Sequence, residues 1–181
     1  MAAHLLRRGA LLLALVTRAA TQNATQDAHQ GDAASDTAAL LAIRAVGNNA
    51  AHLAMVTWAA GTEPCDAASW SEDQSGWLGV TCDGPGGRVT GLYPAVSVST
   101  GMQDYDAAGD LQLFAQLGAL ENLDLNEQTS ITGDISALAG LLNLRELYLY
   151  QTAVFAEPES LSGLSNLHDL WLGLTNVAGP V

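Results

Sequence analysis

From residue 114 onward, leucine recurs in a fixed frame. Leu117, Leu120, Leu123 and Leu125 are followed by Leu141, Leu144, Leu147 and Leu149, then by Leu164, Leu167, Leu170 and Leu172. Phe114, Leu138 and Leu161 add a fifth apolar column, and the steps between copies are 24 and then 23 residues. In Leu123-Asp124-Leu125 and its copies, alternation turns the leucines to one face and the intervening side chains to the other, which predicts one short strand per copy. The return segments, 137–143 for example, carry their own leucines back onto the same core. A single copy cannot bury its apolar face, so the copies must stack. A helical heptad would space apolar residues by 3.5 throughout, and that spacing is absent.

Upstream the pattern changes. Residues 36–58 predict helix, with Asp36 as N-cap and Leu40, Leu41, Ile43 and Val46 as an apolar face. Gly47-Asn48-Asn49 would interrupt it, and 50–58 would form a second helix. Val89 to Leu92 predicts the first strand of the stack, although Pro94 stands where a second inward Leu is expected. Residues 94–109 are too long for an ordinary return and predict an irregular excursion. The extreme N-terminus has another character: Arg7 and Arg8 precede the short apolar run from Ala10 to Val16, with small residues at Thr17 and Ala19. That is the form of a secretory signal over 1–20, and the run is far shorter than the ~20 residues that span a bilayer. A buried first helix or an uncleaved anchor is the alternative. A polar tail at 21–35 follows, predicted to be disordered and carrying the sequon Asn23-Ala24-Thr25.

The period and the L-x-x-L-x-L frame are those of a leucine-rich repeat. Ile131-Thr132-Gly133-Asp134-Ile135 and Val177-Ala178-Gly179-Pro180-Val181 resemble the L-T-G-x-I-P turn of the plant-type subclass. The middle copy, Val154-Phe155-Ala156-Glu157-Pro158, departs from it, with Ala156 at the Gly position. The family's buried Asn after each strand is replaced by Gln128, Thr152 and Thr175, and a Thr hydroxyl bridges less than an Asn amide. Ala39-Leu40-Leu41-Ala42-Ile43-Arg44, Trp58, Pro64-Cys65, Trp77-Leu78-Gly79-Val80-Thr81-Cys82 and Gly87-Arg88-Val89-Thr90-Gly91-Leu92 together resemble the amino-terminal cap of plant-type leucine-rich-repeat receptors, with 66–76 looking inserted. The resemblance implies an α/β solenoid: a right-handed leucine-rich-repeat coil with a parallel β-sheet of about three to four repeats over 89–181, behind a helical, disulfide-bonded cap over 36–88. The repeats stop at Val181 without a closing cap, so an incomplete C-terminus is expected, with a partner or a second copy as a possible cover for the last repeat.

Composition narrows the function classes. The chain of 181 residues is 49% hydrophobic and 14% charged, which is globular. It has no Lys. Without 1–20, only Arg44, Arg88 and Arg145 stand against all nineteen acids. Such a field repels nucleic acid and anionic membrane. The two cysteines, Cys65 and Cys82, imply one disulfide in an oxidising compartment, two reduced core thiols being the alternative. Histidines are scattered, carboxylates sit singly, and Gly84-Pro85-Gly86-Gly87 lacks the Lys and following helix of a phosphate loop. No enzymatic activity, metal or cofactor is expected.

The candidate chemistry lies on the concave face. The residues between the strand leucines are Tyr93, Asp124, Tyr148 and Trp171, with Asn122, Glu146 and Asp169 on one side and Asn126, Tyr150 and Gly173 on the other. Exposed aromatics among Asp and Asn suit a peptide or a carbohydrate, although the same rings would also pave a short sheet with no ligand. The candidate ligand residues are therefore Tyr93, Asp124, Asn126, Glu146, Tyr148, Tyr150, Asp169 and Trp171. The expectation is a secreted or extracellular recognition module for a protein, peptide or glycan. The resemblance also allows an ectodomain fragment of a membrane receptor-like kinase, or a wall-associated protein like the polygalacturonase inhibitors; a surface-coating role without a ligand is a further possibility.

Overall fold

A computed structural model describes residues 31–46, 58, 61–66, 77, 79–93 and 108–177. The leader, the sequon at Asn23, the second cap helix before Trp58 and most of the two irregular segments lie outside the described residues.

Helix α1 runs from Ala33 to Arg44. Its N-cap is Asp32 and not Asp36 as the sequence pattern predicts. The Asp32 carboxylate accepts from the Ser35 N–H at 2.8 Å, and the Ser35 hydroxyl accepts from the Asp32 N–H at 2.7 Å. This reciprocal box starts the helix four residues earlier, inside the expected polar tail. The capping hydrogen bond from Ser35 also holds the Asp32 carboxyl below the usual range. Asp36 is released for another task. It is fully buried and grips Arg88 through Nε at 2.7 Å and a terminal guanidinium nitrogen at 2.9 Å. The Val89 N–H adds a third bond to the same carboxylate at 2.9 Å. Helix and first parallel strand are thus fastened through one buried acid.

Two sheets follow. The larger has the order β1-β2-β4-β6-β8, formed by Val80–Cys82, Val89–Leu92, Asn122–Asp124, Glu146–Tyr148 and Asp169–Trp171. The smaller is β3-β5-β7, formed by Gly109–Asp110, Ile131–Asp134 and Ala153–Phe155. All neighbours are parallel except β1, which runs antiparallel to β2 with a bulge between Thr81 and Cys82. The periodicity gives no sign of β1. Its presence covers the outer edge of β2, which would otherwise offer unpaired backbone groups. Gly91 lets the two strands approach closely, since a Cβ there would stand 3.1 Å from the Thr81 Cβ.

From β2 on, the chain alternates between the sheets, crossing back each time through a 3₁₀ turn: Leu111–Gln116, Ile135–Leu138 and Pro158–Leu161. Asp110 and Asp134 cap the first two, accepting from the N–H two residues on at 2.9 and 2.8 Å. The Ser160 hydroxyl donates back to Asp134 at 3.1 Å, tying one turn to the next, and the bond from the Ser136 N–H keeps the Asp134 carboxyl low. The core between the sheets is leucine. Every frame residue of the first two copies, Leu117 to Leu125 and Leu141 to Leu149, is buried, whereas Leu167, Leu170 and Leu172 of the third are only partly covered.

The return to the smaller sheet differs from the sequence alignment, which sets Gly133 level with Ala156. The ladder pairs Gly133 with Val154. The first copy has one more residue than the second between its strand and this segment, and the ladder lies a further two residues out of step with the motif alignment. Gly133 itself is fixed by its φ of 109° and by Asp110, whose carboxylate would lie 2.9 Å from any Cβ there.

Candidate ligand-binding face

The outer face of the larger sheet is built by register. Asn122 pairs with Glu146 and Glu146 with Asp169; two residues on, Asp124 pairs with Tyr148 and Tyr148 with Trp171. Pairing of Leu92 with Leu123 sets Tyr93 at the head of the second column. Residues i and i+2 share a face, so acids and aromatics form two adjacent columns with strands ~4.8 Å apart. Trp171 is 60% exposed and Tyr93 46%, while Asp124 and Tyr148 are half-buried.

Tyr148 and Trp171 meet edge to face, with centroids 5.5 Å apart at 84°. That orientation sets a positive ring edge against a negative ring face. The Tyr148 hydroxyl lies 3.4 Å from a Glu146 carboxylate oxygen. Partial loss of water raises the Tyr148 phenol above its ordinary value, and the charges of Glu146, Asp169 and Asp124 raise it further. Burial likewise pushes the Asp124 carboxyl up, against the bond it accepts from the Asn126 N–H at 2.9 Å.

The third column divides. Asn126 turns its Oδ1 to the Tyr150 N–H at 2.8 Å, a bond from one copy to the next that makes this side chain part of the framework. The Tyr150 ring lies against Gly173, whose absent Cβ would come within 3.1 Å of it. Gly173 is thus the slot in which Tyr150 rests, a role that appears only once the ring's direction is known. At the entry to the strands the structure adds residues that the sequence pattern does not single out. Arg145 pairs with Glu121 at 3.2 Å, and His168 Nδ1 lies 3.3 Å from Asp169. Glu121, Arg145 and His168 occupy one position of the repeat, and that periodicity is the signal by which they are found.

Beyond the strands, the polar positions close on their own backbone. Thr152 and Thr175 donate to the carbonyls of Leu149 and Leu172 at 2.8 and 2.7 Å, and Gln128 donates to Asn126 at 3.1 Å. The position before each has a left-handed backbone: Glu127, Gln151 and Leu174, with φ of 63°, 59° and 57°.

At the β1 edge of this sheet, Cys65 and Cys82 are joined, with Cα atoms 5.9 Å apart. Trp58 and Trp77 stack at 5.5 Å, and the Trp77 indole N–H donates to Thr62 at 3.0 Å. Residues 33–83 match the leucine rich repeat N-terminal domain. By this match the segment resembles a leucine-rich-repeat cap. The cap covers α1, both cysteines and β1, and the leucine repeats follow it directly. The capped chain is similar to the crystal structure of PEPR1-AtPEP1, at 24% identity and TM-score 0.49, over 80% of this chain and 18% of that one. It is also similar to the LRR ectodomain of the plant membrane receptor kinase GASSHO1/SCHENGEN3 from Arabidopsis thaliana in complex with CASPARIAN STRIP INTEGRITY FACTOR 2, at 26% identity and TM-score 0.40, over 79% of this chain and 19% of that one. The chain spans about a fifth of the length of these structures. No curated protein matches it. Among the described residues, no helix is long and apolar enough to cross a membrane, and no group of His, Cys, Asp or Glu is placed to hold a metal ion.

Proposed function

We propose that the chain is an extracellular leucine-rich-repeat recognition module, a right-handed solenoid of three to four repeats that binds a protein, peptide or glycan on its larger sheet. The observation that carries this is the exposed Trp171 and Tyr93 at the two ends of a column whose middle holds Asp124 and Tyr148. Rings of that size left open to water on a rigid ladder offer contact area at low cost in conformational entropy. The formed Cys65–Cys82 bond supports an oxidising, extracellular location, with 1–20 as its cleaved leader. Recognition, rather than catalysis, is the task these groups suit.

A peptide and glycan array with the purified chain tests the reading. Ligands are expected whose retention falls at least tenfold when Tyr148 and Trp171 are both changed to Ala, a loss in keeping with two aromatic anchors. Undiminished retention by that variant would sink the concave-face assignment. The partly covered Leu167, Leu170 and Leu172 favour a second element of the proposal: β8 packs against a partner or a second copy of the chain. Sedimentation of the chain at rising concentration checks the self-paired form.

A further inference from the structure

The pairing of β6 with β8 makes a tile of four side chains. Glu146 lies opposite Asp169 and Tyr148 opposite Trp171, with acid and aromatic two residues apart on each strand and hence on one face. On the β4 side the tile continues as Asn122 and Asp124. The cations near it are few. Arg145 is engaged by Glu121, and His168 stands beside Asp169. Among the described residues, neither Asp124 nor Glu146 is paired with a cation. Carboxylates next to an open indole present one chemistry in two ways, because both the negative ring face and the acids attract positive charge. A neutral sugar would stack on Trp171 yet leave the acids uncompensated. An ammonium group would meet the charge as a point. A guanidinium matches both the flat ring and the paired oxygens of a carboxylate.

We propose that this tile is a subsite for an arginine side chain of an extended peptide, its guanidinium stacked on Trp171 and bonded to Glu146 or Asp169. The inference rests on the concave-face reading and adds the ligand class to it. Tyr148 sets the edge-to-face orientation of the indole, and the Tyr150 ring lies against Gly173 on the neighbouring column.

The test is a titration of the isotope-labelled chain with the peptide acetyl-Gly-Ala-Arg-Ala-Gly-amide and with its citrulline twin, which keeps the shape and loses the charge. The Trp171 indole resonance, assigned with Trp171→Phe, is the readout. The arginine peptide is expected to give a saturable shift confined to β4, β6 and β8. Binding should weaken roughly fivefold or more with the citrulline twin and with Glu146→Gln, and it should weaken further as salt is raised. Glu146→Gln is isosteric and near the surface, and an unchanged circular dichroism spectrum shows that the variant is folded. Equal binding of the citrulline twin, shifts away from the tile, or no saturable shift at the solubility limit of the arginine peptide would each overturn the subsite. None of these touches the broader reading, which falls only if array-selected ligands bind the Tyr148→Ala, Trp171→Ala variant undiminished.

Discussion

At the scale of single residues, Asp124 shows how the face and the stability of the sheet are coupled. Its carboxyl is half-buried and is raised above its value of 3.8 in the unfolded chain. The folded state therefore holds the proton more tightly. The contribution to stability is full below pH 3.8 and is lost as pH rises through the folded value. Asp124→Asn keeps the acceptor for the Asn126 N–H and removes the buried charge. The variant should unfold at higher denaturant than the parent at pH 7, and the gap should close as pH falls below 3.8. A gap that is constant with pH would contradict this account. The left-handed residues supply a second case. Gln151 holds φ of 59° without the freedom of Gly or the tolerance of Asn. Gln151→Asn is expected to stabilise by about 0.5–1 kcal/mol, measured by urea unfolding.

At the scale of elements, the two fastenings of the cap differ in kind. Asp36 is a buried acid with three bonds, two to Arg88 and one to Val89. Asp36→Ala leaves a guanidinium without its buried partner and should cost roughly 3–5 kcal/mol, read by chemical denaturation. The disulfide closes a separation of 17 residues, so its reduction should cost about 3 kcal/mol by loss of the constraint on the unfolded chain. The strands β4, β6 and β8 were legible because leucine alternates there in a repeating frame; the smaller sheet was not, since Ile131–Asp134 and Ala153–Phe155, read as turns, pair as strands. β1 was not, since Val80-Thr81-Cys82 has no copy elsewhere and owes its strand to the open edge of β2. The true N-cap was not legible either. Asp32 and Asp36 both precede apolar residues, and only burial against Arg88, 52 positions away, decides between them.

At the scale of the whole molecule, stacking leaves the outer copy less covered than the inner ones. Equivalent leucines should therefore differ in worth. Leu147→Ala should destabilise by about 3–5 kcal/mol, while Leu170→Ala, already partly open, should cost about 1 kcal/mol. Equal losses in calorimetry would mean that the third copy is covered in solution. The two columns on the larger sheet were readable from the frame itself, because position in the repeat fixes position on the face. The contacts that give the face its character were not: the edge-to-face ring pair, the Tyr150 slot at Gly173 and the turning of Asn126 into the backbone all depend on side-chain direction. The central claim, recognition through the larger sheet, is tested most directly by hydrogen-exchange footprinting of the chain with a ligand taken from the array. Protection concentrated on β4, β6, β8 and the turns after them is the predicted result. Protection confined to β3, β5 and β7 would place the binding surface on the opposite side and contradict the account.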